Sequence, residues 1–461
     1  MSVVFSRALL AAALALLVGF GPANAQPTAP DTPAGQALQA WLGAFNSGDA
    51  ARIRAFLAAD DPSQETVHAV AMTVEGPGGL MDFREATGGF ELQSVASEGP
   101  LHLRFEVKEA HSATLALGDL VMQPGATPTV ARFRLTGVPA GAVLAPAMLD
   151  AATRTRAING VLALTTQSYD NAEVARRMTA AVRARQAAGA YDAIADGDQL
   201  AAQLTSDLRA VSHDLHLVVT FTPFKTALDE EPLPQNDERM GPQLLAGNCA
   251  FDKAEILPGN IGYVKFNDFG PVDICGPTAA AAMAFIAHTG ALIIDLRENR
   301  GGDPPMIVFL ASYFFDAPTH LNDFASRAGG RFAGPGLTQE WTAAYLPGPR
   351  LAREPVFVLT SHATFSGAEE FSYDLQAQKR AAIVGEPTGG GEPTGGGAHP
   401  ADAHVVADYF TVFVPYGEAI NPVTHANWEG AGVQPDVRTP AADALSAAQG
   451  LALAAIRAAK R

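Results

Sequence analysis

The chain reads as an α/β protein, and three features of its 461 residues point that way. From Asn248 onward, short apolar runs alternate with helical spacings, the pattern of a mostly parallel sheet covered by helices. Residues 146–210, just ahead, keep helical spacing almost throughout. Earlier still, two helical stretches are followed by strands of regular alternation, which predicts a small α+β unit. The expected plan is a signal peptide over 1–25, an α+β accessory domain over 26–145, a helical bundle over 146–227, a linker over 228–247 and a core over 248–461.

The leader comes first. Arg7 supplies a positive start, Ala8 to Phe20 an apolar run, and Ala23-Asn24-Ala25 an A-x-A site before Gln26. A cut after Ala25 is expected, giving a periplasmic or secreted protein. The run is short for a bilayer span, and no later stretch is apolar enough, so no membrane insertion is expected after cleavage. The net charge is −17, from 31 basic and 48 acidic residues. With no basic tract, that balance argues against nucleic acid or an anionic membrane as partner.

In the accessory unit, Leu38, Trp41, Leu42 and Phe45 mark one helix face, and Asn46-Ser47-Gly48-Asp49 ends it. Asp49 caps a second helix carrying Ile53, Phe56 and Leu57. Leu101, Leu103, Phe105 and Val107 then alternate with His102, Arg104 and Glu106, and Ala131, Phe133 and Leu135 repeat the pattern. No catalytic group stands out here. His68, His102 and His111 read as surface residues.

The bundle shows in Ala157, Val161 and Leu164, in Val174, Met178 and Val182, and in Leu200, Leu204 and Leu208. It gives way to a strand from Leu217 to Phe221, with His213 and His216 at the junction. An acidic, Pro-rich connector runs from Leu228 to Pro242. The core opens with a strand over 261–266, an Ala-rich helix over 278–288 and a buried strand over 291–296. The last ends in Asp295-Leu-Arg-Glu-Asn-Arg-Gly301-Gly302, where paired glycines let the backbone turn and present N–H groups. A helix over 306–315 follows. Cys249 and Cys275 read either as a disulfide across one strand or as two small buried hydrophobes. Their spacing makes no metal site.

The stretch from Pro355 to Arg380 carries the chemistry. Val356 to Leu359 is a buried strand, Thr360 to Thr364 a turn, and Phe365, Ala368, Phe371 and Leu375 one helix face. Ser366 thus sits at a helix N-terminus, among free N–H groups that favour an attacking oxygen and the oxyanion it creates. Ser366-Gly-Ala-Glu369 is also a capping box, so this stretch alone reads first as a plain cap and second as a nucleophile.

Five ordered motifs decide between them: ALIIDLRENRGGDPPMIVFLASYFF, PVFVLTSHATFSGAEEFSYDL, KRAAIVGEPTGGG, GGGAHP and NPVTHANWEGAGVQPDV. Over about residues 148–440 the chain resembles the tail-specific (C-terminal processing) serine peptidases, in the branch of the tricorn core and the retinoid-binding-protein repeats. The resemblance implies a crotonase-like β/α superhelix behind an amino-terminal bundle, and peptide-bond hydrolysis without a cofactor or metal. The stretch ALQAWLGAFNSGDAARIRAFL is similar to the first helices of nuclear-transport-factor-like domains.

By that resemblance Ser366 is the nucleophile, and its base is a histidine from the bundle oriented by the glutamate of W-E-G. His216 and Glu429 match those positions. Gly301 or Gly302, with Gly367, match the oxyanion hole. His399 is the main competitor as base and His213 a lesser one, while Asp214 reads as shaping the turn. The other branch uses a lysine after the following strand. Here that region holds none, and Lys379 comes too early, inside the helix.

The chain departs from the family in repeating Glu386-Pro-Thr-Gly-Gly-Gly391 as Glu392-Pro-Thr-Gly-Gly-Gly397. The extra copy reads first as an extruded surface loop, and second as a lid over the cleft that limits substrate size. The interval from Phe221 to Asn248 leaves no room for a PDZ domain. An exported serine peptidase acting on polypeptides is expected, and a homo-oligomer is compatible with it. The alternative is a non-catalytic binder of an apolar, retinoid-like ligand on the same scaffold.

Overall fold

The computed structural model describes residues 27–459 except 61–73, 75–78, 113, 139–141, 146–147, 226–239, 329, 331–333 and 390–395. The leader, His68 and most of the second EPTGGG copy lie outside the described residues. The chain divides into two units at residues 140 and 141.

The first unit holds α1 (Pro33–Asn46), α2 (Ala50–Asp60), α3 (Leu80–Thr87), β1 (Phe90–Gly99), β2 (His102–Glu109), β3 (Leu115–Gln123) and β4 (Thr129–Val138). Its strands form an antiparallel meander in the order β1-β2-β3-β4. Leu103, Phe105 and Val107 face inward along β2, as their alternation dictates. Trp41 of α1 packs against Phe133, ring centroids 4.6 Å apart. Gly118 gives Phe105 its room, because a Cβ there would meet that ring at 2.0 Å. His102 is half-buried and its Nε2 lies 3.1 Å from Asp119. His111 is exposed.

The second unit starts with α4 (Ala151–Ser168), α5 (Ala172–Ala187), α6 (Gly197–Ser212) and β5 (Val218–Phe221). After α7 (Met240–Ala246) come β6 (Phe251–Leu257), β7 (Ile261–Phe266), α8 (Val272–Phe285), β8 (Ala291–Asp295) and α9 (Pro304–Ala311). Next are β9 (His320–Ser326), β10 (Gly336–Trp341), β11 (Val356–Thr360), α10 (Gly367–Ala377) and β12 (Ala381–Gly385). The chain closes with β13 (Ala401–Ala407), β14 (Phe410–Pro415), β15 (Gly417–Ile420), β16 (Val437–Arg438) and α11 (Ala441–Ala459).

The main sheet runs β16-β12-β11-β8-β7-β6. All its pairs are parallel except β6 with β7. Every residue of β8 and β11 is buried, as expected of strands covered on both faces. These two strands are neighbours, Leu359 opposite Asp295. The Gly301-Gly302 loop and the Ser366 turn therefore leave the sheet side by side. A second sheet, β13-β14-β5, ties the strand after the bundle to strands from the far end of the chain. That pairing brings His216 to the core.

Three element bounds differ from the expectation. α8 runs from Val272 to Phe285 and contains Pro277, where the expected helix spans 278–288. Cys275, in its first turns, is bonded to Cys249 with the Cα atoms 5.6 Å apart, so the disulfide reading holds. α9 begins at the paired prolines 304 and 305, where a missing N–H costs nothing, and ends in a 3₁₀ turn. α7 occupies the end of the expected linker. No described helix is long and apolar enough to cross a membrane.

Candidate active site

Ser366 occupies the turn between β11 and α10 with φ 53° and ψ −122°, a region L-residues rarely adopt. Holding it there costs about 1–3 kcal/mol, which the surroundings supply. Phe365 N–H donates to the Asn299 carbonyl at 3.1 Å, and Thr364 Oγ1 donates to the Leu296 carbonyl at 2.8 Å. Both bonds lock the turn to the loop after β8. The capping-box residues face each other, and Ser366 N–H donates to Glu369 Oε2 at 2.8 Å. The Ser366 hydroxyl makes no cap bond.

That hydroxyl instead lies 2.8 Å from His216 Nε2, across 150 positions of sequence. The His216 ring is buried, and Phe365 packs on it with centroids 4.8 Å apart. Gly397 closes the other side. A Cβ there would come within 2.4 Å of the imidazole, so only glycine fits. In this arrangement a neutral imidazole carries its proton on Nδ1 and accepts from the hydroxyl at Nε2. His213, by contrast, is the left-handed cap of α6 and not part of the pair.

The glycines separate by role. Gly301 N–H is spent on Asn299 Oδ1 at 2.8 Å, so it has no donor for an oxyanion. Its lack of a side chain matters instead, because a Cβ would lie 2.6 Å from Gly367 N. Gly302 and Gly367 line the cleft with Ser366, and among the described residues neither N–H has a partner. Gly302 N also approaches within 3.3 Å of where a Gly367 Cβ would stand. Two converging N–H groups beside a nucleophile can hold a developing oxyanion.

The carboxylates differ from the expectation. Glu429 makes no bond to His216. Its Oε2 accepts from Ala398 N–H at 2.7 Å and lies 3.8 Å from His399 Nδ1. The acid facing His216 is Asp214, whose Oδ1 is 4.0 Å from Nδ1 and accepts the His216 backbone N–H at 2.9 Å. Among the described residues, His216 Nδ1 itself has no hydrogen-bond partner. Asp214 Oδ2 accepts from Tyr169 Oη at 3.0 Å and from His399 Nδ1 at 2.6 Å. Asp214 is thus a hub, a role its place two residues before His216 hinted at, since an Asx turn bonds the backbone two residues on.

Glu369 is the second residue that sequence reading undervalued. Buried completely, it accepts from Ser366 N–H, from Gly397 N–H at 2.9 Å and from the Thr388 hydroxyl. It thereby joins the nucleophile turn to both ends of the EPTGGG repeat. Trp428 holds the same segment, its Nε1 donating to the Gly397 carbonyl at 2.7 Å.

Burial sets the protonation states. It drives the His216 imidazole down to about 4, with Asp214 pulling the other way, so the ring is neutral and able to accept a proton at pH 7. Burial pushes Glu429 up to about 7 and Glu369 up to about 8. Desolvation alone would lower His399, but its bond to Asp214 and that carboxylate's charge raise it to about 10. His399 is therefore a cation paired with Asp214 and a poor candidate for a base at neutral pH. Among the described residues, Asp214, His399 and Glu429 are the one group whose ligand atoms, within 4.8 Å of one another, could hold a metal. The His399–Asp214 ion pair already uses two of those atoms.

This pair has a measurable consequence. A histidine whose pKa is raised from about 6.5 contributes stability that is full below 6.5 and disappears as pH rises through its folded value, here about 10. The melting temperature of the wild type should exceed that of His399→Gln at pH 6, and the gap should close by pH 10.5. A gap that stays constant over that range would mean that His399 loses no proton there and that its bond to Asp214 is not an ion pair.

Two sequence models match the second unit. The model of peptidase family S41 covers residues 260–439. The model described as the N-terminal domain of Peptidase_S41 in eukaryotic IRBP covers residues 150–246. Together they span more than half of the chain. The chain belongs to peptidase family S41. It is a serine-type peptidase, and its substrates are polypeptides. Solved structures with a similar fold include a lipoprotein from Streptococcus agalactiae, 16% identical, TM-score 0.43, over 66% of this chain and 97% of that one. The photosystem II D1 C-terminal processing protease is 17% identical, TM-score 0.37, over 63% and 94%. The tricorn protease is 12% identical, TM-score 0.41, over 81% and 46%.

Proposed function

We propose that this S41 peptidase is exported and cleaves peptide bonds with Ser366 as nucleophile and His216 as general base. The 2.8 Å contact between Ser366 Oγ and His216 Nε2 carries the reading. His216 takes the hydroxyl proton as Oγ attacks the carbonyl carbon. The carbonyl oxygen, now negative, accepts from the N–H groups of Gly302 and Gly367. The imidazolium formed is stabilised by Asp214, 4.0 Å from Nδ1, and returns its proton to the departing amine. Water then repeats the cycle on the acyl-enzyme. Glu429 acts one layer out, holding Ala398 and His399 around Asp214.

The decisive experiment is a fluorophosphonate probe followed by peptide mapping. A single adduct on Ser366 is expected, blocked by prior incubation with a peptide substrate. An adduct elsewhere, or none, would sink the assignment.

Export rests on the leader over Met1–Ala25 and is in keeping with the Cys249–Cys275 disulfide, a bond that persists in oxidising compartments. Amino-terminal sequencing of the protein from its native host should start at Gln26. A start at Met1 or Ser2 would contradict cleavage.

A further inference from the structure

His216 lies on the short connection between α6 and β5. Arg209 sits in the last turn of α6, where a cation usually serves the carbonyls of its own helix. This one reaches past the helix end. Its Nε donates to the Leu217 carbonyl at 2.9 Å, and a terminal nitrogen of the guanidinium donates to the Leu215 carbonyl. Those two carbonyls flank His216. The His216 N–H, in turn, is taken by Asp214 Oδ1 at 2.9 Å. Both polar atoms of the peptide group joining residues 215 and 216 are therefore held, one by a cation and one by a carboxylate. Such charge-assisted bonds are the strong ones.

Main-chain support matters here because the ring has little freedom of its own. Phe365 and Phe413 pack near it, and Gly397 lies against it. Its distance to Ser366 Oγ is then set by where residues 215–217 run. We propose that Arg209 is a positioning residue for the general base, setting the His216 imidazole against Ser366 Oγ through the main chain on either side of it. This inference rests on the Ser366–His216 reading and adds to it the group that fixes the base.

Arg209 also brings charge, since a guanidinium stays protonated at any working pH. Burial is the main cause that keeps His216 neutral. Asp214 opposes it, and the His399 and Arg209 cations add to it. The other groups against the ring, Phe365, Phe413, Gly397 and the Ser366 hydroxyl, carry no charge. Without Arg209 the imidazole is easier to protonate, and the acid limb of the rate moves to higher pH. Thr205, one turn earlier on α6, supplies a control. Its Oγ1 accepts from Val219 N–H at 2.9 Å, so it docks β5 without holding residues 215–217 or adding charge.

Peptide hydrolysis tests it, with active sites counted by a fluorophosphonate so that each rate is per site. Arg209→Met should lower kcat about tenfold to a hundredfold, the cost of misplacing a catalytic group by about 1 Å, with KM within about twofold. Its acid limb of kcat/KM should move above the wild-type position near pH 4. Arg209→Lys keeps the charge but lacks the fork that spans two carbonyls, so its limb should stay in place while kcat falls by a smaller factor. Thr205→Val should lower the melting temperature and keep kcat within about twofold. Equal losses of kcat in Thr205→Val and Arg209→Met, with the limb unmoved, would mean that this face of α6 only docks β5, and would overturn the inference. Wild-type kcat in Arg209→Met would overturn it too. If Arg209→Met does not fold, Arg209→Lys decides, and wild-type kcat there overturns it. These failures leave the peptidase reading intact. An acid limb that survives in His216→Ala removes the base itself, and the inference with it.

Discussion

Ser366→Ala is expected to lower peptide hydrolysis about a millionfold and to abolish fluorophosphonate labelling. The size follows from chemistry, because among the described residues Ser366 supplies the hydroxyl that His216 Nε2 contacts. The fold should survive. The Ser366 side chain makes no cap bond, so its loss does not expose the start of α10, and Glu369 still holds the residue 366 N–H. The backbone at 366 has φ 53°, where glycine is unstrained. Ser366→Gly should therefore be as inactive as Ser366→Ala but more stable, by about 1 kcal/mol. That pair of variants separates catalysis from capping. Hydrolysis retained in either one would falsify the nucleophile.

His216→Ala should cost a similar factor, on the order of 10⁴–10⁶ in kcat, because an unactivated hydroxyl is a poor nucleophile. His399→Gln should cost far less. It removes a partner of Asp214 and leaves the Ser366–His216 contact in place. A larger loss in His399→Gln than in His216→Ala would name the wrong base. The pH profile gives an independent check. The free imidazole titrates at about 6.5, but burial lowers His216 to about 4. Protonation below that value removes the base, so the rise of kcat/KM attributable to His216 should lie near pH 4 and vanish in His216→Ala. A rise only above pH 9 would point to a lysine base instead.

How much of this was legible without coordinates depends on how local each feature is. The buried strand Val356–Leu359, the turn and the helix face after Ser366 are set by near-neighbour periodicity, and sequence alone identifies them. The same holds for the paired glycines after Ala291–Asp295 and for the alternation of β2. Motif resemblance added His216 as the partner of Ser366, although nothing local to LTSDLRAVSHDLHL says that its histidine meets a serine 150 positions away. α8 was misread at its start, since Pro277 breaks helices by local rules while tertiary packing tolerates it here.

Sequence by itself thus determined the α/β class, the family, the nucleophile turn and the pool of groups available for chemistry. Only the tertiary structure decided how those groups are shared out. Gly301 and Gly302 are equivalent in sequence, but Asn299 takes the N–H of one and leaves the other free. Glu429 and Asp214 are both acids near a histidine, but Asp214 bonds the His216 backbone and faces its ring, while Glu429 lies beside His399. Glu370 looks like a helix-surface residue until α9 and β9 close over it. For the contacts between distant segments, such as His216 with Ser366 and Glu429 with His399, the reason is physical. A hydrogen bond or ion pair forms over about 3–4 Å, and periodicity along one chain carries no information about separations that small between distant segments.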